Sequence, residues 1–336
     1  MRTSFHPCMP NGLSGDPVLW IDLLDEGVSV LFDLGLLDRI SNRKLLRVDR
    51  VVVTHTHMDH FIGFDHLLRL ALRRERELAL TGPPGFLSNI QGKVDGYTWN
   101  LIESYPLRLI VEELDGETVR SVVFSGQNGM RPEPRPDRPF RGTVHAERAY
   151  TLHAAVLDHG IPVLGLALRE PEHLSVNRDR VLRMGLQPGP WLSDLKQAVR
   201  RCRPEEETIE VLTTEGSSRS CSVRELSEEL LFRTPGQTLA YFSDLRYTPE
   251  NVDKVVALAR DVDLMVCEAA FLHEDEGLAR ERSHLTARQA GELARAAGAK
   301  TLAPFHFSPR YAEMEQQLLN EAASAFGGPT IRLPAA

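Results

Sequence analysis

Four side chains able to ligate a metal fall within six consecutive positions of the segment Thr54-His55-Thr56-His57-Met58-Asp59-His60. Residues two apart on extended backbone point the same way, so His55 and His57 share one face. Asp59 and His60 lie where a helix begins and can face a second ion. Imidazole and carboxylate together suit zinc, and also iron or manganese. The chemistry open to such a set is metal-assisted hydrolysis. A lone histidine is usually structural, but three histidines and an aspartate packed directly behind an apolar strand rarely are.

The elements around this segment must place it at the mouth of a sheet. Pro17 to Leu24 and Val28 to Leu34 read as a hairpin split by Asp25-Glu26-Gly27. Arg50 to Thr54 is a short buried strand, and Asp59 to Arg76 reads as one helix with a broad apolar face. Strand-like runs follow at Arg108 to Glu112, Val119 to Phe124, Tyr150 to Asp158 and Pro162 to Leu168. Met130 to Arg141 reads as a loop rich in proline and arginine, and Pro171 to Gly189 as a second poorly periodic stretch. Trp191 to Arg201 is a predicted helix. Further on, Thr238 to Ser243, Val262 to Cys267 and Lys300 to Pro304 are predicted strands. Thr248 to Arg260, Thr286 to Ala297 and Pro309 to Phe326 are predicted helices. Thr248 caps the first with proline behind it, and Gly298 ends the second. The alternation predicts mixed sheets covered by helices, an α+β arrangement.

HxHxDH behind a strand resembles the signature of the metallo-β-lactamase superfamily. The resemblance implies an αββα sandwich of two mixed β-sheets flanked by helices, formed by residues 1–336 as a single domain. It implies three more ligands in order, each at a strand end, and His159, Asp244 and His306 fill those places. His153 competes with His159 but lies inside a strand pattern. By the same resemblance His55, His57 and His159 hold one ion, Asp59, His60 and His306 hold a second, and Asp244 bridges them. The cofactors are then two divalent ions, zinc first, with manganese or iron as alternatives.

Other segments are similar to ribonuclease Z, the endonuclease that trims the 3′ end of precursor tRNA. They include Thr81-Gly82-Pro83-Pro84-Gly85, His159-Gly160-Ile161-Pro162, Gly185 to Leu192, Asp263 to Phe271, Ser283-His284-Leu285-Thr286 and Pro304 to Tyr311. The chain departs from that pattern at Phe5 to Gly12, at Phe32-Asp33-Leu34-Gly35 and at Ser243-Asp244-Leu245. The resemblance implies that Asp59 orients the attacking water and that His284 meets the scissile phosphate. Glu268, at a strand end, would orient His284. Ser308 and Arg310, behind the last ligand, are candidates for phosphate contact. An inserted arm is expected at about 171–203, and a homodimer is compatible with the family. Arg131, Arg135, Arg138 and Arg141 form either a mobile basic arm or a solvated loop.

Composition narrows the alternatives. The 336 residues carry a net charge of −8, which counts against a protein that grips nucleic acid over its whole surface. That charge keeps a small-substrate hydrolase of the same fold in play, acting on a cyclic nucleotide, an aryl sulfate or a lactone. A redox di-iron protein is disfavoured because histidine stands at 57, and a non-catalytic RNA-binding subunit because the ligand set is complete. No apolar run is long enough for a membrane span and the opening residues lack a secretion signal, so a cytoplasmic protein is expected. Cys8, Cys202, Cys221 and Cys267 form no CxxC pair and read as buried thiols.

Overall fold

The computed structural model describes residues 4–24, 26–147 and 149–335. Eight strands build the first sheet in chain order, from Phe5–Cys8 to Pro132–Pro139. Its centre is parallel: Val28–Phe32, Val48–Val52, Leu78–Gly82 and Arg108–Asp115 run together. The second sheet orders Leu302–Phe305, Leu264–Glu268, Thr238–Phe242, Pro162–Arg169, Thr151–Asp158 and Thr143–Ala146. Its first three strands are parallel and the rest antiparallel.

Side-chain alternation explains the layers. Val52 points between the sheets with Phe32, Leu164, Tyr241 and Phe305, while Val51 and Val53 point outward onto Phe64, Leu68 and Phe86. Tyr241 and Phe242 divide in the same way, Phe242 packing against the helical side with Val255, Leu293 and Leu318. One core therefore lies between the sheets and one under each helical layer, which is the expected αββα sandwich. The helix caps also follow the sequence. The Thr248 side chain accepts from Asn251 N with proline at the first position, and Thr286 and Gln289 form a reciprocal capping box.

Four expectations are corrected. The helix read as Asp59 to Arg76 is two pieces, Met58–Phe61 and Phe64–Ala71, broken at Ile62-Gly63. A Cβ at Gly63 would lie 2.2 Å from Gly35 O, so close packing of two backbones sets the break. Second, the supposed loop Met130 to Arg141 holds the edge strand Pro132–Pro139. Prolines at 132, 134 and 136 fall on alternate positions, so their missing N–H groups share the outward side and the inward side still pairs. Arg138 there bonds Glu112 at 3.1 Å. Third, Pro309 to Phe326 begins as a tight turn, Pro309–Tyr311, and becomes α-helical only over Glu315–Phe326. Fourth, Cys202 is exposed, whereas Cys8, Cys221 and Cys267 are buried free thiols.

The segment expected as an arm at 171–203 lies inside a larger excursion bounded by the strands Glu172–Val176 and Leu231–Pro235, which pair with each other. Between them stand Arg178–Arg183, Trp191–Arg200, Thr208–Leu212, Ser218–Ser222 and Val223–Leu230. Their apolar faces meet in a core of their own around Leu186, Trp191, Leu195, Val211 and Leu226. Arg200 joins this unit to the sandwich, bonding Glu26 at 3.0 Å and Glu170 at 3.2 Å. Among the described residues no helix is long and apolar enough to cross a membrane.

Candidate metal centre

The parallel strands of both sheets deliver their C-terminal ends to one rim of the sandwich. Val48–Val52 runs into 54–60, Thr238–Phe242 into Asp244, Leu264–Glu268 ends on Glu268, and Leu302–Phe305 runs into His306. His159 comes from the turn between Thr151–Asp158 and Pro162–Arg169. Asp244 and His306 take left-handed backbone, with φ of 49° and 60°. Such φ values are uncommon outside glycine and cost of order 1–3 kcal/mol each. Here they turn the chain sharply, so that each side chain folds back over the strand ends.

Three overlapping groups of potential ligand atoms result: His55, His57, His159 and Asp244; Asp59, His60 and His306; and Asp244, His284 and His306. Asp244 Oδ2 lies 3.6 Å from His55 Nε2, 3.5 Å from His60 Nε2 and 3.6 Å from His159 Nε2. Asp59 Oδ2 lies 3.6 Å from both His60 Nε2 and His306 Nε2. A tetrahedral ion with bonds of ~2.0–2.1 Å would hold its ligand atoms about 3.3–3.4 Å apart. The spacing is too long for good hydrogen bonds and right for a shared cation.

Buried polar atoms give an independent test of fit. His55 Nε2, His60 Nε2 and His306 Nδ1 are buried without a hydrogen-bond partner among the described residues. Leaving a buried polar atom unmatched costs roughly 1–3 kcal/mol, so three of them around the Asp244 carboxylate call for a ligand. Burial, reinforced by His60, pushes His55 down to about 2, which keeps its imidazole neutral and ready to donate a lone pair. Burial opposes charge on Asp244, yet His306 and His60 hold its carboxyl well below the usual range. This donor set fits divalent metal binding.

The opposite ring nitrogens are tethered, which orients the free ones. His60 Nδ1 bonds Asp33 Oδ2 at 3.0 Å, and His159 Nδ1 donates to Ser283 O at 2.8 Å. His55 Nδ1 lies 3.1 Å from Thr54 Oγ1. Asp33 is fully buried and also accepts from Thr54 N at 2.6 Å and Tyr241 Oη at 2.8 Å. The sequence reading missed Asp33, Thr54 and Tyr241 in this role. The departure at Phe32-Asp33-Leu34-Gly35 was visible, but nothing in one sequence pairs Asp33 with a histidine 27 positions on.

His284 stands beside the cluster, its ring centre 5.0 Å from that of His159 and 5.4 Å from that of His306. Its Nδ1 bonds Glu268 Oε2 at 3.0 Å, while Glu268 Oε1 accepts from Leu245 N at 2.7 Å. Burial disfavours its charge, but Glu268 outweighs that and lifts its pKa to about 9. Glu268 thus favours the protonated imidazole and fixes the ring through Nδ1. His57, Asp59, His159, His284 and His306 line a cleft of about 610 Å³. Ser308 and Arg310 form part of the same wall, and so do Ser14, Asp16 and Arg282, which the sequence did not single out. His153 stays away from the centre, on its strand beside Thr143 and Thr151.

Fold and cluster together define a protein of the metallo-β-lactamase fold. Residues 200–307 match the family model described as Beta-lactamase superfamily domain. The metallo-β-lactamase fold protein YhfI from Bacillus subtilis superposes with a TM-score of 0.57 at 14% identity, covering 96% of this chain and 94% of that one. The short form of human tRNase Z gives 0.55 at 17% identity, covering 99% and 95%. In sequence, the chain is 30% identical to Ribonuclease Z of Deinococcus radiodurans over 317 residues, 92% of each protein. It belongs to the ribonuclease Z family.

Proposed function

We propose that this chain is a dinuclear-metal phosphodiesterase that cuts precursor tRNA endonucleolytically near its 3′ end. The observation that carries the reading is the approach of two ligand sets to Asp244, beside a cleft lined by His57, Asp59, His159 and His306 together with Arg282 and Arg310. His55, His57 and His159 would hold one ion, Asp59, His60 and His306 the other, with Asp244 between them. Zinc suits this histidine-rich set, and manganese is the next choice. When bound, the ions would polarise the phosphodiester and make water a stronger nucleophile near neutral pH.

The side chains supply the rest. Asp59, with its carboxylate half exposed to the cleft, would orient the attacking water. His284, protonated and aimed by Glu268, would donate from Nε2 to the leaving 3′-oxygen. Ser308 and the guanidinium of Arg310 would hold flanking phosphate oxygens. The excursion at 172–235 would meet the body of the RNA, and the chain would work in the cytoplasm, alone or as a homodimer.

A second reading is a hydrolase of small diesters or esters on the same fold. The net charge of −8 and the presence of Asp16 on the cleft wall favour it, because both repel a large polyanion. The deciding experiment incubates zinc- or manganese-loaded protein with a 3′-extended precursor tRNA, with cyclic AMP as competitor and Asp244→Ala as control. A single cut near the acceptor end, absent with the variant, supports the tRNA reading. Intact precursor beside hydrolysed cyclic AMP supports the small-substrate enzyme.

A further inference from the structure

Arg246 follows Asp244 by two residues, and its side chain ties three separate loops together. Its Nε donates to Ser283 Oγ at 2.9 Å and its Nη1 to Asp158 Oδ2 at 3.1 Å. Its backbone N–H donates to Asp158 O at 2.9 Å. Asn251, 1% exposed, closes the knot. Its Nδ2 donates to Asp158 O and to Arg246 O at 2.8 Å each, and its Oδ1 accepts from Asp158 N at 2.9 Å.

Each partner sits next to a residue of the centre. Asp158 precedes His159. Ser283 precedes His284, and its carbonyl is the acceptor for His159 Nδ1. Arg246 itself lies on the loop that carries Asp244. Gly160, at φ 86°, leaves room for the guanidinium: a Cβ there would lie 2.9 Å from Arg246 Nη2. Arg246 is absent from the cleft wall that holds His159 and His284. The planar fork fixes two directions at once, which a single lysine ammonium does not.

We propose that Arg246 is a positioning residue that holds His159 and His284 in register with Asp244, and so sets both metal retention and turnover. Its side chain is 44% exposed, so its contribution is geometric and little global stability depends on it. The proposal rests on the metallohydrolase reading for its activity arm, but not on the choice of substrate.

The test compares Arg246→Gln, Arg246→Lys, Asp158→Asn and the double variant Arg246→Gln/Asp158→Asn with the parent. Zinc per chain is measured after titration with a chelator, kcat and KM on bis-p-nitrophenyl phosphate, and Tm by circular dichroism. The expected result for Arg246→Gln is zinc retention and kcat each reduced about 10–100-fold, with KM within about twofold and the Tm of the metal-free protein nearly unchanged. Lysine should not rescue, and the double variant should be no worse than Arg246→Gln, because both changes cut the same tie. Unchanged zinc affinity and kcat would overturn the proposal. So would a rise in KM alone, which would make Arg246 a substrate-binding residue. If Arg246→Gln unfolds, Arg246→Lys and Asp158→Asn carry the same comparison. Failure of the parent to cut precursor tRNA while it hydrolyses the diester would sink the substrate reading and leave this one standing, since no readout here uses RNA.

Discussion

At the residue scale, Asp244 is the side chain on which most depends. It faces His55, His60, His159 and His306 at 3.4 to 3.6 Å and is 2% exposed. Asp244→Ala should lose at least one zinc per chain by atomic absorption and lower kcat by three orders of magnitude or more, since it removes a contact shared by both ligand sets. His284→Ala should behave differently. It should retain zinc and lose about 10²–10⁴-fold in kcat, the usual contribution of a positioned acid. A measured loss of metal in that variant would instead make His284 a ligand, since it also lies within reach of Asp244 and His306.

At the element scale, the break between Met58–Phe61 and Phe64–Ala71 lets His60 turn inward while Phe64 and Leu68 pack under the sheet. Gly63 permits it by lying against Gly35 and Leu34. Gly63→Ala should cost about 1–3 kcal/mol and lower Tm by several degrees, because the obstruction is backbone that cannot swing away. Gly92→Ala is the matched control. It lies in the helix Phe86–Asp95 with nothing within 4 Å of the added carbon, and should leave Tm unchanged or slightly raised. The break itself was not legible in sequence. The apolar periodicity runs across it without interruption, and a glycine's need for space appears only when a second chain segment occupies that space.

At the scale of the whole molecule, the excursion 172–235 has its own core, and its two ends return side by side. Glu170 N donates to Gln237 O at 2.8 Å, so a short glycine-rich turn can replace the excursion. The shortened protein should unfold cooperatively and still hydrolyse bis-p-nitrophenyl phosphate, because the sandwich loses no core layer. Its KM for precursor tRNA should rise at least tenfold if the excursion meets RNA. Removal of metal by a chelator should act on the sandwich as a whole. Ions bind only the folded rim, so about 4 kcal/mol of stability is lost per site held at a thousandfold excess over its Kd, and Tm falls accordingly.

Adjacent residues carried the information that sequence alone determined. The spacing of His55, His57, Asp59 and His60, the apolar strand before them, the threonine caps at 248 and 286 and the glycine end at 298 depend on neighbours in the chain. Local sterics and hydrogen bonding decide them. Tertiary structure alone decided which distant groups meet. Asp33 reaches His60, Tyr241 reaches Asp33, and Arg246 spans the loops of His159 and His284. Those pairings exist because two sheets stack and align their strand ends on one rim, and that geometry has no period along the chain. The prolines at 132, 134 and 136 make the same point from the other side: alone they read as a loop, and only a neighbouring strand on their paired side makes them an edge.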